Sequence, residues 1–189
     1  MKRSGLLVQL SVAVLVGTSG SMHAHAAPFS DQYSGIIANN SYAALAQQLY
    51  LAFFGRPADP AGLAFYVDAL AKSGAPQDLR SLADAYGRDA GIRTLVNGLS
   101  GSAEARALYG DDPPRLIAAL YRNGFNRDAD PEGYAYWLDT IRNQRLDPAA
   151  AVLSILAGAQ GSDLATFQRK VEASTMFTAS VDTPAGRAL

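Results

Sequence analysis

Between Ser41 and Asp182 the apolar residues recur with helical spacing. Leu45, Ala46, Leu49, Tyr50 and Phe53 fall at i, i+1, i+4, i+5 and i+8, which lines them along one face of a helix. Leu63, Tyr66, Val67 and Leu70 follow at i, i+3, i+4 and i+7. Both stripes return further on, as Leu116, Ile117, Leu120 and Tyr121, completed by Phe125, and then as Tyr134, Trp137, Leu138 and Ile141. Asp-Pro-x-Gly stands before each second stripe. Asp59 and Asp130 suit an N-cap, where the carboxylate accepts orphan backbone N–H groups, and Pro60 and Pro131 suit the first helical position, where no N–H is needed. The pattern predicts two helical hairpins that pack their stripes together.

The stretches between and after the hairpins also read as helices. Asp78 to Tyr86 and Ile92 to Leu99 lie between glycine breakers at Gly87, Gly91 and Gly98. Ser102-Ala103-Glu104 opens a short helix, and Gly110-Asp111-Asp112-Pro113-Pro114 is the clearest internal boundary. Asp147-Pro148 starts another helix that ends at Gly158 to Gly161, and Leu164 to about Thr178 forms the last. No run alternates convincingly with period two. The expected fold is all-α, a compact helical domain.

Leu49–Leu70 and Leu120–Ile141 align without a gap at an offset of 71, with ten of 22 positions identical. The identities include Arg56/Arg127, Asp59/Asp130, Pro60/Pro131, Gly62/Gly133 and Asp68/Asp139. Such self-similarity indicates a duplicated helix-loop-helix unit of about 70 residues. The units span about 41–110 and 113–182 within a domain of 41–182.

The first 26 residues have the three parts of a secretory leader. Lys2 and Arg3 begin it, Leu6 to Val16 are apolar, and Ala24-His25-Ala26 forms an A-x-A cleavage site. The apolar run is short of the ~20 residues needed to span a bilayer. Residues 27–40 read as a linker and 183–189 as a tail.

The leader changes the chemistry that remains. The chain has 16 Lys and Arg against 17 Asp and Glu, two His and no Cys. Cleavage after Ala26 removes two basic residues, leaving 14 against 17 and a net charge of −3, together with His23 and His25, the whole histidine complement. The processed chain then has no histidine base, no Ser-His-Asp or Cys-His arrangement and no His or Cys metal ligand. The balance of charge also argues against nucleic acid, which needs many phosphate contacts. These facts point to a protein that is not an enzyme and uses no cofactor or metal, exported by a Sec-type route to the periplasm or beyond. It has no membrane-spanning segment after the leader.

The pattern LYxxxFxRxADPxGxxYW, carried by Leu120 to Trp137 and less fully by Leu49 to Tyr66, resembles the bacterial DUF4214 family, a domain of unknown function. Ser102-Ala103-Glu104 is similar to the family's Ser-x-Glu segment, and Gln168 to Thr178 to the endings of its members. The resemblance implies a module of secreted or surface-layer proteins, often beside calcium-binding repeats. It carries no catalytic residues.

Four candidate chemistries follow from the residues. Asn126, Asp128, Asp130 and Glu132 alternate like the start of a calcium loop, but Pro131 and Trp137 stand where that loop needs Gly and a bidentate Glu. Arg56 with Asp59, and Arg127 with Asp130, would form either an anion or sugar clamp or, the simpler reading, a loop ion pair whose Arg also caps carbonyls of the preceding helix. Asp68 with Lys72, and Asp139 with Arg142, have the spacing of ordinary surface pairs rather than of opposed glycosidase acids.

The fourth candidate is Phe65 and Tyr136, which occupy matching positions and point roughly 150° from the centre of their stripes. The commoner fate of such rings is to pack under the intervening helices; the alternative is an exposed binding platform. Tyr66 and Trp137, on the stripe, are expected in the core. Arg56, Asp59, Pro60, Gly62, Arg127, Asp130, Pro131, Gly133 and Trp137 are read as structural, with Phe65 and Tyr136 as the ligand-binding candidates. The function expected is a non-catalytic module binding cell-envelope or extracellular polysaccharide. A protein–protein adaptor in an envelope assembly is the alternative.

Overall fold

The computed structural model describes residues 41–181. The expected leader, linker and tail lie outside the described residues. Nine helices fill the described chain with no strand among them: α1 (Ser41–Phe54), α2 (Pro60–Lys72), α3 (Leu79–Tyr86), α4 (Ala90–Ser100), α5 (Ala103–Tyr109), α6 (Pro113–Phe125), α7 (Pro131–Arg142), α8 (Pro148–Ala157) and α9 (Gly161–Val181). The protein is all-α.

Asp residues start six of these helices. Asp59, Asp78, Asp89, Asp112, Asp130 and Asp147 each hold an extended backbone and accept an N–H from the first turn. The bonds from Gly62 N to Asp59 (2.8 Å) and from Gly133 N to Asp130 (2.7 Å) are the expected caps. Pro60, Pro131 and Pro148 occupy the first helical position behind them.

Two helices make the interior. In α1, Leu45, Ala46, Gln47 and every residue from Leu49 to Phe54 are buried, so the helix is enclosed on all sides rather than along one stripe. It packs on α2, α4, α5, α6, α8 and α9. In α8, Ala149, Ala151, Val152, Leu153, Ile155 and Leu156 are buried, and the helix packs on α1, α3, α4, α6 and α7. One hydrophobic core runs through both expected units, and α1 packs on α6.

Two sequence expectations are corrected. Gly91 and Gly98 do not break a helix, because both lie inside α4. A Cβ at Gly98 would stand in ordinary van der Waals contact with the Tyr66 hydroxyl, 3.6 Å away. The last helix starts earlier and ends later than expected, its C-terminal half fixed by a buried polar cluster. Gln47 donates from Nε2 to Thr178 Oγ1 (2.8 Å) and accepts the Ala58 N–H on Oε1 (3.0 Å). The Thr178 hydroxyl reaches the carbonyls of Ala58 (2.6 Å) and Ser174 (2.9 Å). This cluster ties α1, the α1–α2 loop and α9 together.

Candidate functional site

Each motif loop leaves its first helix through a left-handed residue, Gly55 (φ 67°) after α1 and Asn126 (φ 59°) after α6. Gly and Asn are the residues that adopt this backbone most readily, which explains Asn126 without a calcium loop. Among the described residues no three His, Asp or Glu side chains are placed to hold a metal.

The next residue, an Arg, has a partner the sequence reading missed. Arg56 makes a fork to Glu104 in the first turn of α5, Nε to Oε1 at 2.6 Å and Nη2 to Oε2 at 2.8 Å. Arg127 makes the same fork to Asp163 in the first turn of α9, at 2.9 and 2.7 Å. The expected partners are more distant, Asp59 at 3.7 Å and Asp130 at 3.9 Å, because both carboxylates already cap their helices. Nor does either Arg cap the preceding helix. Each donates instead to a loop carbonyl, that of Pro57 (2.9 Å) or Asp128 (3.0 Å). The guanidinium of Arg56 lies over the Tyr50 and Phe54 rings, and that of Arg127 over Tyr121.

The fork shifts its members predictably. Hydrogen bonds from Arg56 hold the Glu104 carboxyl below the usual carboxylate range, and Arg127 does the same to Asp163. Both pairs are partly exposed, so each is worth at most about 1 kcal/mol. They act as staples, fixing a loop to a helix far along the chain. An acid in the first turn of a downstream helix, present at Glu104 and at Asp163, is the signal that would have found them.

The surface acids divide. Asp68 pairs with Lys72 at 2.7 Å, as its spacing implies. Asp139 does not pair with Arg142: it accepts from Asn143 (2.6 Å) and pairs with Arg145, which the turn after α7 brings back over the helix end.

The expectation that Phe65 and Tyr136 pack under the intervening helices is overturned. Phe65 is 63% exposed and Tyr136 59%, because α2 and α7 turn their opposite faces to the core. Phe177 and Leu164 on α9 are exposed as well. Each ring stands edge-on to its neighbour, Phe65 to Tyr66 at 5.2 Å and Tyr136 to Trp137 at 5.0 Å between centroids. Tyr66 is buried as expected. Trp137 is only half-buried, packed against the core on one side.

Besides an open groove of about 620 Å³ lined by Gly55, Pro57, Asn126 and Phe177, two smaller concavities are formed. A cleft of about 330 Å³ lies between the turns around α5 and the start of α8, floored by Phe53, Tyr109 and Leu116. Of its acids, Asp111, Asp112 and Asp147, the last two cap α6 and α8, and Asp147 also receives the Tyr86 hydroxyl at 2.9 Å. Burial, reinforced by Asp147, pushes the Tyr86 phenol well above its ordinary range. The second is a pocket of about 340 Å³ beneath Arg127, lined by Tyr121, Phe125, Trp137, Gln160 and Asp163.

The fold and loops define an all-α module whose two like motifs are each fastened by an arginine–carboxylate fork. Residues 96–160 match the family model described as Domain of unknown function (DUF4214), a stretch running from within α4 to the residue before α9 and holding the whole second motif. Over those residues the chain is similar to DUF4214. No curated protein and no solved structure matches it.

Proposed function

We propose that this is a non-catalytic exported module that binds cell-envelope or extracellular polysaccharide. The observation carrying this reading is the exposure of Phe65 and Tyr136, two aromatic rings at matching positions on α2 and α7. Folding tends to bury large apolar rings, so two at matching positions in water favour a contact face, and flat rings stack well on the C–H faces of sugars. The leader pattern supports export to the periplasm or beyond, and the lack of His and Cys after residue 26 supports binding rather than catalysis. The matching sequences, caps, left-handed residues and forks of the two motifs support their origin as copies of one unit.

The test is retention by isolated envelopes and released polysaccharide of the source bacterium, using protein expressed from the full-length gene and processed by the cell. Phe65→Ala and Tyr136→Ala run beside it, with circular dichroism to show that both remain folded. Retention by polysaccharide that folded variants lose, and that free sugar displaces, is the expected result. Retention only through envelope protein, untouched by sugar, would replace this reading with the adaptor.

A further inference from the structure

The pocket beneath Arg127 joins the exposed ring of Tyr136 through Trp137, and its chemistry is more specific than that of a flat platform. Trp137 lines it beside Tyr121. Tyr121 and Phe125 complete an aromatic wall. Asp163 and Gln160 line it as well. Arg127 donates one hydrogen bond to each Asp163 oxygen, and a carboxylate has about four lone-pair sites, so the remaining sites are open to hydroxyl protons. The Gln160 side chain has no hydrogen-bond partner among the described residues and is exposed at the mouth. Its amide offers both a donor and an acceptor.

The charge balance narrows the ligand. Arg127 is matched by Asp163 in the fork, with Asp130 3.9 Å away, so no cation is free to draw an anion. The volume, about 340 Å³, lies at the small end of ligand pockets and suits one ring rather than an extended chain.

The first motif differs at the same place. A Cβ on Gly62 would lie 2.0 Å from the Tyr50 hydroxyl, so that tyrosine packs on the first turn of α2. On Gly133 a Cβ would meet nothing nearer than the atoms of Asp130, its own cap, at 3.1 Å, so Tyr121 sits farther from that position than Tyr50 does from Gly62. Tyr66 occupies the Trp137 position in the first motif.

The geometry points to the Trp137 pocket as a subsite for one neutral hexose unit, its C–H face on the indole and its hydroxyls on Asp163 and Gln160. This rests on the polysaccharide reading above and places Tyr136 as the stacking surface for the adjoining sugar.

Trp137 is the only tryptophan in the chain, so its emission reports on this pocket alone. The processed full-length product is titrated with the methyl glycosides of glucose, galactose and mannose, with methyl glucuronide, and with the released polysaccharide. The expected result is a saturable emission change with at least one neutral glycoside or with the polysaccharide. Gln160→Ala and Asp163→Asn should weaken it at least ten-fold. Gln160 is exposed and unbonded, so its variant keeps the test decisive if Asp163→Asn loses stability. Polysaccharide retention in the pull-down without any emission change, or with full affinity in Gln160→Ala, would overturn the subsite and leave the platform reading standing. Response to the glucuronide alone would overturn the neutral assignment. No emission change together with no polysaccharide retention would overturn both.

Discussion

Gln47 is wholly buried, yet it is the residue on which the first motif loop depends. Replacing it with Leu keeps the volume close and removes its hydrogen bonds, those to Thr178 and from Ala58 and a long one to the Ser174 carbonyl. The Ala58 N–H, itself buried, is then left without a partner, at a cost of about 1–3 kcal/mol. Losing the bond to Thr178 costs about 1 kcal/mol more. The added apolar burial returns about 1 kcal/mol. Gln47→Leu should therefore destabilise the protein by about 2 kcal/mol, a fall in Tm of roughly 6–8 °C for a domain of this size. Urea unfolding followed by far-ultraviolet circular dichroism should show a lower midpoint at unchanged slope. A cycle with Thr178→Val should show the two changes coupled by about 1 kcal/mol, since both act on Ala58. A Gln47→Leu protein as stable as the parent, or strictly additive single changes, would refute the tether.

Three further outcomes follow from the same structure. Burial raises the phenols of Tyr50, Tyr66, Tyr86, Tyr109 and Tyr121, Tyr66 to about 12. The stability they contribute is complete below the ordinary tyrosine value of 10.0 and lost as pH rises through the folded values, so their phenolate absorbance should appear only as helix is lost. Glu104 and Asp163 are held low, so their contribution is present above the usual carboxylate range and lost as pH falls through the folded values. Glu104→Gln with Asp163→Asn should flatten the decline in urea midpoint between neutral and strongly acidic pH, by about 1 kcal/mol or less per pair because the groups are partly exposed. Gly55→Ala should cost about 1–2 kcal/mol, from its positive φ and the Asn123 side chain at 2.3 Å, while Asn126→Gly should be neutral or gain up to about 0.5 kcal/mol in thermal unfolding.

The helices were legible in the sequence because their signals are local. An Asp followed by Pro, or by an apolar stripe at helical spacing, marks a helix start by chemistry confined to four residues, and Asp59, Asp78, Asp130 and Asp147 all served as read. What was not legible is what depends on partners far along the chain. Glu104 lies 48 residues from Arg56 and Asp163 lies 36 from Arg127, and nothing local to either Arg announces them. Gly98 was read as a breaker because propensity counts only the backbone, whereas it lies inside α4, a helix whose Ile92, Val96 and Leu99 are buried in the core. The exposure of Phe65 and Tyr136 was undecidable for the same reason: helical spacing shows that they face away from their stripe, but only the placing of the other helices shows that nothing covers them.

The two motifs are alike where they build the scaffold and unlike where one of them opens. The cap, the left-handed exit and the arginine fork recur in both. Around this frame, Gln47 gives way to Ala118 at the matching position, and Tyr66 to Trp137. The first change means that the loop before α2 is tethered through Ala58 to α9, whereas Ala118 has no side-chain amide to hold Ala129 in the second loop. With the second, Tyr121 stands back from Gly133, while Tyr50 packs on Gly62. Both changes act in one direction. They close and fasten the first motif and leave beside the second a pocket with an aromatic wall, a half-used carboxylate and a free amide. A fold that needed only two structural hairpins gains nothing from leaving Gln160 and Trp137 at the mouth of such a pocket, and this asymmetry is the reason to look for the ligand at the second motif first.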